Sequence, residues 1–128
     1  PPTCPNGAAR PTGTPTVIFD RYDVVALPHP LTDLRPSERR PAVVLSTRTF
    51  NISQGHTLCA MVTSSVGGWS SDVPIVDLQT AGLPVPSVVR LKLFVVENIK
   101  AERRLGELAR KDAKALRRAL RAALGEDE

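Results

Sequence analysis

The sequence contains few aromatic residues, few cysteines and no long hydrophobic run. One Trp, one Tyr and three Phe among 128 residues argue against a protein that binds single strands by stacking bases on aromatic side chains. No apolar stretch approaches the roughly 18 residues that a membrane-spanning helix needs. The N-terminal residues contain no apolar signal-peptide core, so we expect a cytoplasmic protein without a membrane partner.

The two cysteines lie in different sequence contexts. Cys4 is in a Pro-rich segment and Cys59 is inside an apolar strand pattern, so we expect no disulfide and a small buried thiol at Cys59. Paired histidines and Cys/His clusters are absent from the sequence. We therefore expect no metal site and no cofactor.

Composition divides the chain into a tail and one domain. Residues 1–16 hold five of the twelve prolines and almost no large apolar residue, which predicts a flexible tail. Residues 17–128 have the length of a single domain. Nine basic and three acidic residues give the segment 99–124 a net charge of +6, against +4 for the whole chain. Exposed cations commonly solvate a helix face, so this charge alone does not indicate RNA binding.

Short apolar runs rich in β-branched residues predict a mainly β fold with a C-terminal helix, in the α+β class. Strands are expected over 17–27, 42–46, 57–64, 72–78 and 88–96. The 42–46 and 57–64 strands should pair, and Pro74 should restrict the 72–78 strand to a sheet edge. Leu116, Leu120 and Leu124 recur every four residues, which predicts a helix over 110–124.

Two connecting segments carry further expectations. Residues 28–40 contain three prolines and many charges, which predicts a long loop that covers a substrate. A short additional helix is expected over 101–106.

Cations and hydroxyls stand at the ends of the predicted strands. Arg39 and Arg40 precede Pro41, which biases Arg40 toward extended backbone where the loop becomes a strand. The 57–64 strand ends on Thr63 and Ser64, and the 88–96 strand carries Arg90 and Lys92 on one face. Two like charges on one face repel each other unless an anion or a carboxylate lies nearby. These residues form a candidate phosphate site.

The order of several segments resembles the MazF/PemK family of toxin endoribonucleases, over roughly residues 19–124. The segments are YDVVALP, RRPAVVLS, a strand ending in VTS, SDVPI, AGLPVPSVVR and a helix that follows LGEL. The resemblance implies a small SH3-like β-barrel with appended helices that forms a homodimer. It also implies metal-independent cleavage of single-stranded RNA, including mRNA, and inhibition by a cognate antitoxin encoded beside the toxin.

Carried over to this sequence, the resemblance implies that Arg40 and Thr63 form the catalytic pair. Arg40 matches the arginine of the family's Arg-Pro step, and Thr63 matches the threonine that closes the following strand. Ser64 matches a neighbouring hydroxyl, and Arg90 matches an arginine that some members use in cleavage. The other expected RNA-binding residues are Lys92, Arg39 and His29.

Two positions depart from the family pattern. Tyr22 stands where the family usually has glycine. Lys92 replaces a carboxylate that pairs with the arginine at position 90 in members that use that pair, so an aspartate base is not expected there.

The implied reaction uses the substrate's 2′-OH as the nucleophile and leaves a 2′,3′-cyclic phosphate. It requires a base, charge stabilisation and a proton for the leaving oxygen. Arg40 suits charge stabilisation because its planar fork binds two phosphate oxygens. A guanidinium is a poor proton shuttle, so the base remains open among His29, Glu38 and Asp33.

Two alternative functions are compatible with the sequence. The first is a catalytically silent SH3-like module that binds RNA or peptide, because Tyr22 and Lys92 depart from the family pattern. The second is an inhibitor of DNA gyrase, since a related fold is used in that way.

Overall fold

The computed structural model describes residues 17–27, 40–65, 68–100 and 103–126. The expected tail over 1–16 and residues 28–39 of the expected loop lie outside these ranges. The elements are β1 (Asp23–Leu27), β2 (Arg40–Val44), α1 (Arg48–Gln54), β3 (His56–Thr63), β4 (Val73–Pro74), α2 (Leu78–Ala81), β5 (Val88–Glu97), a 3₁₀ turn (Asn98–Lys100), β6 (Arg103–Glu107) and α3 (Arg110–Ala123). This confirms a mainly β fold with a C-terminal helix.

The strands form one antiparallel sheet in the order β4-β5-β3-β2-β1-β6. β2 and β3 are neighbours, which confirms the pairing expected from the sequence. β4 lies at one edge and pairs with β5. Pro74 therefore occupies an edge strand, where its missing N–H leaves no gap in the interior hydrogen-bond ladder.

Both faces of the sheet carry apolar side chains, because successive residues of a strand point to opposite faces. The first core cluster includes Val24, Val43, Val62 and Val89, and α3 covers it with the buried Leu116. The second core cluster lies on the other face; it consists of Phe19, Val25, Leu27, Ala42, Val44, Cys59, Phe94 and Val96.

The two edges of the sheet approach each other, which curls the sheet toward a half-barrel. The helix α2, which follows the edge strand β4, packs against β6 at the opposite edge. Glycine is required on both sides of this contact. A Cβ on Gly82 would lie 2.1 Å from the Leu105 carbonyl oxygen, and one on Gly106 would lie 2.4 Å from that of Thr80.

The expectation of a helix over 101–106 was wrong, because residues 103–107 form β6. This strand completes the sheet beside β1, and its Arg104 donates from Nε to the buried Asp23 at 3.0 Å. Pairing with β1 overrides a local composition that favours helix.

Other element boundaries also differ from the sequence expectations. The strand expected over 72–78 is only two residues long, and α1 and α2 were not anticipated. In the C-terminal helix, Leu116 is buried, Leu120 is half-buried and Leu124 is 61% exposed. The apolar stripe therefore packs on the core only through its first part.

Candidate functional site

Arg40 and Thr63 lie at the same end of neighbouring antiparallel strands. Ala42 pairs with Met61 and Val43 pairs with Ala60; Arg40 and Thr63 each lie two residues beyond the Ala42–Met61 pair, so by strand alternation they share its face. Opposite residues of an antiparallel pair project from the same face of the sheet, with Cα atoms about 4.5–5.5 Å apart. The two residues expected to be catalytic are therefore brought to one end and one face of the sheet.

Thr63 is buried, and its hydroxyl oxygen accepts a hydrogen bond from the Ser65 amide at 3.1 Å. A threonine hydroxyl can accept and donate at the same time, so this bond leaves its proton available to a ligand. Thr63 and the exposed Ser64 border a cavity of about 350 Å³, beside Asp72 and Ser87. The cavity lies at the edge formed by β4 and the start of β5.

Arg90 projects from the same face as Thr63. Val88 pairs with Thr63 and Arg90 pairs with Met61, so strand alternation places Arg90 one step along this face. Its side chain is 13% exposed and forms an ion pair with Asp72 across the neighbouring strand. Arg90 Nε donates to Asp72 Oδ1 at 3.1 Å, and Arg90 Nη2 donates to Asp72 Oδ2 at 2.9 Å.

This ion pair stabilises the charged forms of both residues. The hydrogen bonds from Arg90 lower the pKa of Asp72 below its usual value, against the opposing effect of burial. The Asp72 carboxylate raises the pKa of Arg90. An aspartate held in this way is a weak base, so Asp72 suits the positioning of Arg90 better than proton transfer.

Gly68 closes over the ion pair. A Cβ at this position would lie 1.7 Å from Arg90 Nη2 and 2.3 Å from Asp72 Oδ2. The Trp69 amide donates to Asp72 Oδ2 at 3.1 Å. The segment before β4 thus holds the carboxylate while leaving space for the guanidinium.

Lys92 lies at an irregularity of the β3–β5 pairing. Met61 pairs with Arg90 and Ala60 pairs with Leu93, so Leu91 and Lys92 are extra residues on the β5 side. Lys92 is half-buried. The structure does not describe Arg39 or His29, and their expected roles remain predictions.

A second cavity, of about 590 Å³, lies where β2 and β6 begin. It is bordered by Arg40 and Arg103, and apolar side chains line it, including Leu78, Leu83 and Leu105. Sequence reasoning did not single out Arg103, because residues 101–106 were expected to be helical. Asp72 was also missed, because the like charges of Arg90 and Lys92 left open whether an anion or a carboxylate lies nearby.

Other side chains support the fold instead of the site. Cys59 is fully buried, which confirms the expected small buried thiol, and burial raises the pKa of this thiol to about 12. Within the described ranges, no group of three His, Cys, Asp or Glu side chains is placed to hold a metal ion. None of the helices in the described part of the chain is long and apolar enough to cross a membrane.

Comparison with known families identifies the chain. The profile of the family described as "PemK-like, MazF-like toxin of type II toxin-antitoxin system" matches residues 20–124. The chain belongs to this toxin family. The matched range contains Arg40, Thr63 and Arg90 and covers the elements from β1 to α3. A search of curated protein sequences found no significant match.

Solved structures of MazF toxins share the fold. MazF from Deinococcus radiodurans has a TM-score of 0.66 and 27% identity, covering 85% of this chain and 98% of that chain. A MazE–MazF complex from the same organism has a TM-score of 0.66 and 26% identity, covering 85% and 97%. An endoribonuclease from a Mycobacterial species, in complex with its cognate antitoxin, has a TM-score of 0.66 at 16% identity and covers 84% and 94%. This last similarity concerns the fold alone.

Proposed function

We propose that this member of the MazF/PemK family is a toxin that cleaves single-stranded RNA endonucleolytically, with the scissile phosphate bound by Arg40 and Thr63. The observation that supports the proposal is the β2–β3 pairing, because Arg40 and Thr63 each lie two residues beyond the Ala42–Met61 pair, at the same end of their strands. The family to which the chain belongs, the toxins of type II toxin-antitoxin systems, also supports it.

The proposed roles follow from the chemistry of each side chain. The Arg40 guanidinium binds two phosphate oxygens and stabilises the negative charge that grows on them in the transition state. The Thr63 hydroxyl, whose oxygen accepts from the Ser65 amide, donates its proton to the same phosphate. Arg90 uses two of its five N–H groups on Asp72 and has three left for a neighbouring phosphate.

The reaction proposed here proceeds without a metal ion. A base removes the proton of the 2′-OH, the 2′-oxygen forms a bond to phosphorus, and the bond from phosphorus to the 5′-oxygen breaks. The departing 5′-oxygen takes up a proton, which leaves a 2′,3′-cyclic phosphate and a 5′-OH. Arg40 and Thr63 stabilise charge in this scheme, and the base is proposed among His29, Glu38 and Asp33.

The test uses purified protein and a long unstructured RNA in EDTA, with mapping of the product termini. Wild type should produce cyclic phosphate ends, and Arg40→Ala and Thr63→Val should each lower kcat/KM by about 10²-fold or more. Lys100→Ala is the matched control, because its ion pair with Glu97 is exposed and contributes little. RNA that is bound but left intact by wild type would favour the silent binding module. Equal rates for Arg40→Ala and wild type would refute the site.

We also propose two protein partners, a second copy of the chain and a cognate antitoxin. Large apolar side chains remain exposed on α1, on the second half of β5 and on the following turn: Phe50, Ile52, Leu93, Val95 and Ile99. A homodimer would bury such side chains, and an acidic antitoxin peptide would complement Arg40 and Arg90. Light scattering should give a dimer for wild type and a monomer for Val95→Glu; a monomeric wild type would refute the homodimer.

A further inference from the structure

The helix α3 presents a dense basic face to solvent. Its six cations, all of them exposed, are Arg110, Lys111, Lys114, Arg117, Arg118 and Arg121. At about 100° per residue, Arg110, Lys114, Arg117 and Arg121 fall within an arc of about 60°. The buried Leu116 points away from that arc into the core.

Two adjoining concavities make this face a groove instead of a convex helix surface. One of about 480 Å³ lies between α3 and the turn before β1, where it is bordered by Arg21, Tyr22, Lys114 and Arg117. The other, of about 320 Å³, is lined by Lys114, Arg117, Arg118 and Arg121. We call the combined surface, lined by Arg21, Lys114, Arg117, Arg118 and Arg121, the α3 groove.

The turn before β1 holds a cation over the same groove. The Arg21 guanidinium carbon lies 4.7 Å from the centroid of the Tyr22 ring, a distance typical of a cation–π contact. Tyr22 has a φ of 74°, which a residue with a side chain rarely adopts. The amide of Tyr22 donates to the Val44 carbonyl at 2.7 Å and the Leu108 amide donates to its carbonyl at 2.9 Å, so the turn is tied to the sheet on both sides.

Two carboxylates close to the α3 groove are bound to other groups. Glu107 pairs with Arg104 at 2.8 Å, and Asp112 is buried with its oxygens bound to two backbone amides. Among the described residues, no ion pair joins Lys114, Arg117 or Arg118 to a carboxylate. The positive charge of this part of the groove is therefore available to an external anion.

The strand positions of the proposed site residues lie on the opposite face of the sheet from α3. α3 packs on the first core cluster, which contains Val43, Val62 and Val89. Arg40, Thr63 and Arg90 alternate with these valine positions along their strands, so they project from the other face. The cavities bordered by Arg40 and by Thr63 share no lining residue with the two concavities of the α3 groove.

We propose that the α3 groove binds the phosphodiester backbone of the RNA substrate outside the cleavage site. This inference rests on the proposed function, because it assumes that RNA is the substrate. Arginine forks match phosphate oxygens. The 320 Å³ concavity is lined by Lys and Arg residues alone, which favours a polyanion there over an amphipathic acidic peptide, although the 480 Å³ concavity also has apolar lining residues, Leu108 and Ala113. The groove thus provides affinity for long RNA without reading its sequence.

The test compares a long unstructured RNA with an oligonucleotide of about ten nucleotides that spans one mapped cleavage site, roughly the length that a single groove covers. The variant is Lys114→Gln/Arg117→Gln/Arg118→Gln, because glutamine keeps helix propensity while it removes charge. Lys111→Gln is the matched control, a cation of the same helix that borders neither concavity. Circular dichroism and thermal unfolding check that each variant folds.

The triple variant should bind long RNA about tenfold or more weakly and have a correspondingly higher KM, with kcat unchanged. Its slope of log affinity against log salt should fall by about 2, at about 0.7 for each lost phosphate contact. Cleavage of the short oligonucleotide should match wild type, and Lys111→Gln should behave as wild type throughout.

Two other results would overturn the inference. One is an unchanged affinity and salt slope of the triple variant for long RNA. The other is unchanged RNA binding together with weaker binding of an acidic antitoxin peptide, which would make the groove a protein interface. If wild type cleaves neither RNA, the proposed function fails instead, and the affinity and salt slope for uncleaved long RNA still decide whether the groove binds it.

Discussion

The carboxylate of Asp72 accepts two hydrogen bonds from the guanidinium of Arg90, from Nε at 3.1 Å and from Nη2 at 2.9 Å. Both side chains are only 13% exposed, so the pair is partly shielded from water and from salt. This geometry holds Arg90 on the face that carries Thr63. Asp72 is therefore a positioning residue for the proposed RNA site.

The first prediction is that Asp72→Asn impairs RNA cleavage by releasing Arg90. Asparagine keeps the shape but replaces a charge-assisted pair with a weaker neutral contact, which should lower kcat/KM by about tenfold and stability by about 1–3 kcal/mol. Cleavage kinetics and urea unfolding measure the two effects. Glu97→Gln is the control, since its carboxylate serves an exposed ion pair. Wild-type kinetics in Asp72→Asn would show that the orientation of Arg90 is irrelevant to cleavage.

The second prediction concerns acid stability. Arg90 lowers the folded-state pKa of Asp72 below its ordinary value of 3.8. The stabilisation from ionised Asp72 is therefore fully present above about pH 4 and is lost as the pH falls through the lowered folded-state pKa. The difference in unfolding free energy between wild type and Asp72→Asn should be constant from pH 7 to about pH 5 and should shrink below about pH 4. Urea unfolding across this range measures it, and a pH-independent difference would contradict the assignment.

The third prediction is that Gly68→Ala mimics the loss of the ion pair. The new Cβ would overlap Arg90 Nη2 and Asp72 Oδ2, so one of the two side chains must move. Gly55→Ala is the contrasting control. Gly55 has a φ of 69° with nothing within 4 Å of the added carbon, so its cost of about 1 kcal/mol is backbone strain alone.

Gly68→Ala should lower RNA cleavage to the level of Asp72→Asn, whereas Gly55→Ala should lower stability and leave kcat/KM unchanged. Cleavage assays and thermal unfolding of both variants distinguish the two mechanisms. Full activity of Gly68→Ala would show that the pair tolerates the added methyl group.

Much of the sheet follows from local sequence patterns. Alternation and β-branched residues indicated β1, β2, β3 and β5, although β2 spans Arg40–Val44 and not the expected 42–46. α1 was not predicted, although its ends carry local signals: Thr47 caps the first turn by accepting from the Phe50 amide at 3.2 Å, and Gly55 ends the helix with a positive φ. These are ordinary helix start and stop signals.

The remaining elements depend on contacts that are distant in sequence. Residues 103–107 form a strand because they pair with the edge of β1 that β2 leaves free. No local sequence pattern reveals this pairing. The position of Asp72 opposite Arg90 depends on the register between β4 and β5. From charge repulsion, local sequence indicated either an anion or a carboxylate near Arg90, and only the strand pairing identifies Asp72.

The fourth prediction is that Asp112 anchors α3 and thereby the α3 groove. This side chain is 2% exposed. Its Oδ1 accepts from the Val76 amide at 3.1 Å, and its Oδ2 accepts from the Asp77 amide at 3.0 Å. Asp112→Ala would leave two partly buried amides without their acceptor, which should cost about 2–4 kcal/mol of unfolding free energy. Asp112→Asn keeps one acceptor oxygen and should cost about half as much.

Urea unfolding measures whether Asp112→Ala loses more unfolding free energy than Asp112→Asn. Lys111→Ala serves as an exposed control on the same helix turn. Because α3 loses its attachment to residues 76 and 77 in Asp112→Ala, amide hydrogen exchange should rise in α3 before it rises in β3 and β5. Equal stability of Asp112→Ala and wild type would mean that these amides find other acceptors when the carboxylate is removed. In that case the attachment of α3 would depend on Leu116 and the core, and not on this pair of hydrogen bonds.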